Sequence, residues 1–395
     1  NASTIDTYNI GIGYNAGTAV TTGIKNTIIG GLAGDAITTG ANNVALGFEA
    51  LSANTGSNGN VAIGYESLET FNVTSDTTTF NTAVGTQAGK AMTTGTSNTL
   101  IGGLAGQAIT TGTYNDALGR SSLYTNTTGA YNVAIGSSSL QNNTTANDNT
   151  GVGYKALYAN TTGAQNTALG GYSLDANTTG LDNTALGAYS LGANTTASYN
   201  TAVGRSALTS NTTGGSNTAL GYKAGNSNTT ATEMTAVGIE ALYSNTTGNT
   251  NSALGRRALY STTTGVNNAG FGARTLYTNT TGSYNVSIGM DSLYSSTTAS
   301  NNTAVGNSAL YANTTGDVNT AVGQGALAAN TTASDNTAVG RLALTANTTG
   351  ASNVALGNNA LTTNTTGSAN VAIGRDALKA NTTAANNTAV GYQSQ

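Results

Sequence analysis

The stretch Asn166-Thr-Ala-Leu-Gly170-Gly-Tyr-Ser-Leu174-Asp-Ala-Asn177-Thr-Thr-Gly180-Leu-Asp182 decides the fold, because it is one copy of a unit that fills the chain. With Asn166 as position 1, the register returns every 17 residues from Asn9 to Asn387, giving 23 starts and one slip of four residues between Asn60 and Asn81. Position 5 is glycine in every unit, from Gly13 to Gly391. Position 1 is asparagine except at Met234, and position 4 is always Val, Ile, Leu or Phe. A unit this short, repeated end to end, predicts a solenoid in which each copy buries its apolar face only against its neighbours.

Composition removes several classes of function. Of the 395 residues, 7% are charged and the net charge is -4, too weak and of the wrong sign to hold nucleic-acid phosphates. Pro, Cys, Trp and His are absent, so neither a disulfide nor a Cys/His zinc site can form. The sequence contains no Gly-Lys-Ser/Thr phosphate loop and no Gly-Gly-x-Gly-x-Asp calcium nonapeptide. Without histidine the commonest catalytic base is missing, and no nucleophile–base–acid set is visible, so neither an enzyme nor a cofactor is expected. No signal peptide or membrane-spanning run is present. The chain does not begin with methionine and is read as a mature form or part of a longer product.

Seventeen residues with two turn signals cannot hold two helices, whereas alternation around positions 4 and 9 fits short strands. The expectation is an all-β fold, a parallel β-solenoid (β-roll) of about 23 coils with a 17-residue repeat. It forms one continuous rod over residues 1–395, with a four-residue insertion in the coil 60–80. At strand spacing the rod would measure on the order of 110 Å. Gly170 and its equivalents are read as a bend that needs positive φ or tight stacking. Positions 6 and 7 vary and carry Glu49, Glu66, Lys155, Arg205, Arg256, Arg257, Arg341 and Asp376, which marks an exposed turn. Gly180 and the two residues after it mark another. In the insertion, Phe71 and Phe80 are read as pinning the base of a surface loop.

Four early coils carry Gly17, Gly34, Gly89 and Gly106 at position 9, where most have Leu. They carry Val20, Ile37, Met92 and Ile109 at position 12, where most have Asn. The exchange implies that both positions look inward, although the coil with Gly225 keeps Asn228. Position 12 is then an internal asparagine ladder, each amide donating to the next. Its members in Asn-Thr-Thr triplets are Asn126, Asn143, Asn160, Asn177, Asn194, Asn211, Asn228, Asn245, Asn279, Asn313, Asn330, Asn347, Asn364 and Asn381, with Thr262 and Ser296 replacing Asn in two coils. The same triplets are N-glycosylation sequons, and the two readings exclude each other at any one side chain, since a glycosylated Asn must point outward. The small residues at positions 3 and 8 are read either as an outer face for lateral association or, if the corners turn the other way, as interior.

Tyrosine occupies position 10 in five successive coils, Tyr243, Tyr260, Tyr277, Tyr294 and Tyr311, forming an aromatic column. It either stacks on itself or offers ring faces to sugars. Stacked threonines raise ice binding as a weaker alternative, but such arrays want Thr two apart on one face, and the paired threonines, such as Thr178 and Thr179, are adjacent and would point opposite ways in a strand. Asn1 is position 10 and Gln395 is position 9, so a second copy placed head to tail would continue the coil in phase. This suggests a filament, with truncation of a longer repeat protein as the competing explanation.

The Asn302-Thr-Ala-Val-Gly-Asn-Ser-Ala-Leu310 pattern, recurring over nearly the whole chain, resembles head repeats of YadA-like trimeric autotransporter adhesins and repeats of bacteriophage tail fibres. The resemblance implies a left-handed parallel β-roll, usually trimeric, used in adhesion. The present coil is longer by its Asn-Thr-Thr-Gly segment and shows no neck, stalk or anchor barrel. The expected role is a structural subunit of an extracellular fibre or filament with adhesive or surface-coating function, located outside the cell, at its surface or on a virion. The alternative is a trimeric adhesin head or phage tail-fibre shaft binding a host surface. Expected partners are other copies of the chain, head to tail or as a lateral trimer, and glycans or a host surface. No nucleic acid and no membrane insertion are expected.

Overall fold

The computed structural model describes residues 7–395, which are all-β, with 23 three-residue parallel strands and no helix. It therefore contains no helix long and apolar enough to cross a membrane among the described residues. The chain divides into two compact units, one ending at Ser198 and the other running Tyr199–Gln395. The first holds β1 (Ile10–Ile12) to β11 (Thr184–Leu186) and the second β12 (Thr201–Val203) to β23 (Thr388–Val390). Within each unit every strand pairs in parallel with the next, one repeat on, as in Thr167↔Thr184, Ala168↔Ala185 and Leu169↔Leu186. Across the insertion the pairing steps by 21 residues, Val61↔Thr82, so the extra residues do not disturb the register.

There is one strand per coil, at positions 2–4. Position 9, expected in a second strand, lies in a turn. Its leucine has left-handed backbone, as at Leu174 (φ 50°), and so does position 7, as at Tyr172 (φ 57°). Such conformations cost an L-residue roughly 1–2 kcal/mol. They persist here because the turn is tied to both neighbours. Leu174 N donates to Ser190 O of the next coil at 3.0 Å, and Tyr172 N to Tyr154 O of the preceding one at 2.9 Å. The left-handed requirement also explains why glycine is the usual alternative at position 9, where Gly34, Gly89 and Gly106 have φ of 48°, 60° and 57°.

The alanines at positions 3 and 8 are interior, as at Ala168 and Ala156, both fully buried, which excludes the Ala-lined outer face. The larger position-4 side chain points out: Leu169 is 48% and Leu254 49% exposed. The coil is narrow, and position-9 leucine, as at Leu174 with no exposed surface, already fills it. Only a methyl group fits between that leucine and the strand. Where position 9 is glycine, a larger neighbour occupies the space. A Cβ on Gly106 would lie 2.7 Å from Ile109 Cδ1 and 2.8 Å from Leu100 Cδ2. The coil with Gly225 obeys the same rule by other means. The vacant volume is taken by Met234, the one residue that replaces asparagine at position 1, with its Cε against Gly225. Two irregularities of the sequence are thus one packing event.

In the insertion coil Phe71 is fully buried at position 12, among the core residues. Phe80, immediately before Asn81 and with left-handed backbone (φ 52°), is 67% exposed and so does not pin the base of the loop.

Candidate functional site

Three columns of side chains run along the coils. The first is internal. Asn126 through Asn364 at position 12 are fully buried, and Asn381 in the last full coil is half-buried. Asn143 Nδ2 donates to Asn126 Oδ1 at 2.9 Å and to Ala146 O at 3.0 Å. Asn160 and Asn177 repeat the contact to the preceding asparagine at 2.9 Å each, and the contact to a backbone carbonyl at 2.8 Å (Gly163 O) and 3.0 Å (Gly180 O). A sugar on such an amide would replace one of its two donated hydrogens and needs room that a fully buried side chain lacks, so the glycan reading of this column requires the turn to open. The column is interrupted at Thr262 and Ser296. There Asn245 Oδ1 and Asn279 Oδ1 are buried without a hydrogen-bond partner, and so are Thr262 Oγ1 and Ser296 Oγ.

The position-1 asparagines are a further internal row beside this first column, not foreseen from the sequence although their near-invariance was the available signal. Asn166 Nδ2 donates to Gly180 O at 2.9 Å, closing the coil on itself, while its Oδ1 accepts from Asn183 N of the next coil at 3.0 Å. One side chain thus fixes both coil closure and stacking. Of the paired threonines, Thr178 spends its hydroxyl on Thr195 O at 3.0 Å, and Thr179 is exposed.

The second column is the aromatic one. Tyr243, Tyr260, Tyr277, Tyr294 and Tyr311 stack with centroids 5.1–5.2 Å apart and ring planes within 6–12° of parallel. Their faces meet each other, which leaves edges and hydroxyls to solvent. Arg257 and Arg274 lie against the column, 5.6 Å from the Tyr260 ring and 5.7 Å from the Tyr294 ring, within cation–π reach. They are neutralised by Glu240 at 2.6 Å and Asp291 at 2.7 Å. Burial pushes the Tyr260 phenol up from its usual range.

The third column is the outer strand face. Among the described residues, every well-exposed large apolar side chain except Leu181, Tyr189 and Tyr311 sits on the strand at positions 2 or 4 or in the flanking positions 6 and 17. Phe48, Tyr65, Tyr154, Ile239 and Met290 represent position 6, and Tyr114, Tyr131, Tyr199 and Tyr284 position 17. The two flanks differ in charge. Position 6 carries Arg120, Arg205, Arg256, Arg341 and Arg375 and no acid. Position 17 carries Asp148, Asp182, Glu233 and Asp335, with Lys25 as its sole cation. All nine are exposed, and of these only Arg375 is in an ion pair, with Asp376 at 3.3 Å, among the described residues.

A carboxylate cluster lies elsewhere in the first unit, at Glu49, Glu66 and Glu69. Lys90 bridges to Glu66 and, at 3.1 Å, to Glu69, so the cluster already holds a cation. Hydrogen bonds from Lys90, Tyr65 and Gln87 hold the Glu66 carboxyl down to about 2.

Within each unit these features define a β-solenoid with self-complementary internal ladders and an apolar outer face between flanks of opposite charge. Neither a family model nor a curated protein matches the chain.

Proposed function

We propose that the chain is a structural module of an extracellular fibre with an adhesive or surface-coating role, and that copies associate side by side through the outer strand face. The observation that carries this reading is the concentration of exposed apolar side chains on positions 17, 2, 4 and 6. Monomeric soluble proteins rarely leave so extended an apolar stripe in water. Burying the exposed half of a position-4 leucine is worth roughly 1 kcal/mol, and the gain recurs with every coil.

The flanks favour another copy of the same chain as partner and set its direction. If two copies lie parallel, related by an axis along the coils, the arginine flank of one meets the acidic flank of the next. If they lie antiparallel across the face, arginine meets arginine and acid meets acid, which disfavours that arrangement. A parallel arrangement is cyclic, and this favours the second reading, a trimeric adhesin head or fibre shaft, over an antiparallel pair.

Sedimentation equilibrium of the purified chain tests the proposal. An oligomer is expected, dispersed by Leu169→Lys together with Leu254→Lys, with donor and acceptor dyes at matching ends showing parallel packing. A strictly monomeric wild-type chain at micromolar concentration would sink it.

A further inference from the structure

The position-10 tyrosines are placed for a chemistry that neither the ladders nor the outer face requires. We propose that the column Tyr243–Tyr260–Tyr277–Tyr294–Tyr311 is an oxidative cross-linking site, where neighbouring rings couple into dityrosine and staple consecutive coils covalently.

Three observations support it. The first is orbital direction. A one-electron-oxidised phenol that has lost its proton carries spin density on its ortho carbons, in lobes perpendicular to the ring. Rings 5.1–5.2 Å apart and within 12° of parallel aim those lobes at each other. Because the coils repeat by translation, each ortho carbon faces its counterpart one rung away. The second is access. Tyr243, Tyr260, Tyr277 and Tyr294 are half-buried and Tyr311 is 40% exposed, so a small oxidant has access to the column and the released proton passes to water. The third is the absence of competing sinks. The chain contains no Cys, Trp or His and only three Met, so an electron hole stops on tyrosine.

The reaction balances with hydrogen peroxide as oxidant, delivered by a haem peroxidase. Two phenols each lose one electron and one proton, the two ortho carbons form one C–C bond, the ortho hydrogen of each resulting dienone moves as a proton to its carbonyl oxygen to restore the phenol, and the peroxide is reduced to two waters. The inference does not depend on the proposed association between copies.

The structure contains its own control. Tyr172 stacks on Tyr189 at 5.4 Å and 4°, but meets Tyr154 edge-on at 5.3 Å and 81°. The distances, 5.4 and 5.3 Å, nearly coincide, while the interplanar angle changes from 4° to 81°. Tyr114 and Tyr131, at 5.1 Å and 4°, form a further stacked pair.

The test is photo-oxidation of the full chain, at dilution, with tris(bipyridine)ruthenium and persulfate, followed by proteolysis and mass spectrometry of linked peptides that have lost two hydrogens. The expected map has links Tyr243–Tyr260, Tyr260–Tyr277, Tyr277–Tyr294 and Tyr294–Tyr311. Tyr172–Tyr189 should form at least tenfold faster than Tyr154–Tyr172. Tyr277→Phe removes the two central links and keeps the outer two, which also shows that the variant is folded. Tyr284→Phe, outside the column, leaves the map unchanged. The proposal is overturned if the heat-unfolded chain gives the same map, if Tyr154–Tyr172 links as fast as the stacked pairs, or if links between separate molecules at exposed tyrosines such as Tyr14 and Tyr392 dominate.

Discussion

Replacing Gly170 by alanine tests the stacking argument most directly. Gly170 ends the strand of its coil with φ of 136°, a conformation L-residues rarely adopt. A Cβ built there would lie 2.7 Å from Gly187 C, 2.8 Å from Gly187 O and 2.9 Å from Ala188 N. All three are backbone atoms of the next coil, so no side chain can swing aside. The strained backbone costs about 1–3 kcal/mol, and forcing two coils apart adds about 1–3 kcal/mol of overpacking. The expected loss is about 4 kcal/mol. Because each coil contacts only its neighbours, the loss should be local. Hydrogen exchange should therefore accelerate at Gly170, whose N–H donates to Val152 O at 2.8 Å, and at Gly187, bonded to Leu169 O at 2.7 Å, with distant coils unchanged. The neighbouring Gly171→Ala is the control. Its nearest contact is Tyr154 O at 3.9 Å, and a change within about 0.5 kcal/mol is expected. If the two variants behave alike in exchange and in urea, close backbone approach is not what holds position 5 as glycine.

The breaks in the position-12 column give a stabilising prediction. Ser296→Asn supplies a donor to the orphaned Asn279 Oδ1 and should raise stability by about 1–2 kcal/mol, read from the denaturation midpoint; a lower midpoint would count against the ladder's contribution. The Gly225–Met234 contact predicts strong coupling: Gly225→Leu and Met234→Asn should each destabilise, while the double variant restores the common coil. A coupling below about 0.5 kcal/mol in the double-mutant cycle would refute the shared-volume explanation. The Glu66 carboxyl, held at about 2 in the folded chain against an ordinary 4.5, contributes stability that is present above about pH 4.5 and lost as pH falls toward 2. Carbon NMR of that carboxyl should show it ionised at pH 3, and titration near 4.5 would show that the Lys90 bridge does not persist in solution.

The insertion and the exceptions show how far the pattern could be read. Period, coil length and the glycine bend were legible because a solenoid places the same residue type under the same constraint in every turn. Within each unit, the position-5 glycines from Gly13 to Gly170 and from Gly204 to Gly374 meet the same backbone of the next coil. The exchange of bulk between positions 9 and 12 was legible because volume inside a narrow coil is conserved. The Gly225 exception was not, since the compensating Met234 lies in the following coil. Phe80 departs from the expectation because its place is set by the coil that follows: it precedes Asn81 at position 17, where Tyr114 and Tyr131 are exposed as well.

The repeating sequence by itself determined a stacked parallel β-coil and its turn sites. Only the tertiary structure decided inside from outside along the strand. Alternation along a strand states that Ala168 and Leu169 face opposite ways, but not which way the coil closes. That choice belongs to left-handed residues such as Tyr172 and Leu174, which side-chain polarity does not reveal. They curl the chain toward the alanine side, where Leu174 already fills the interior, and leave Leu169 on the surface. The largest apolar residue of each strand is therefore free to meet another molecule.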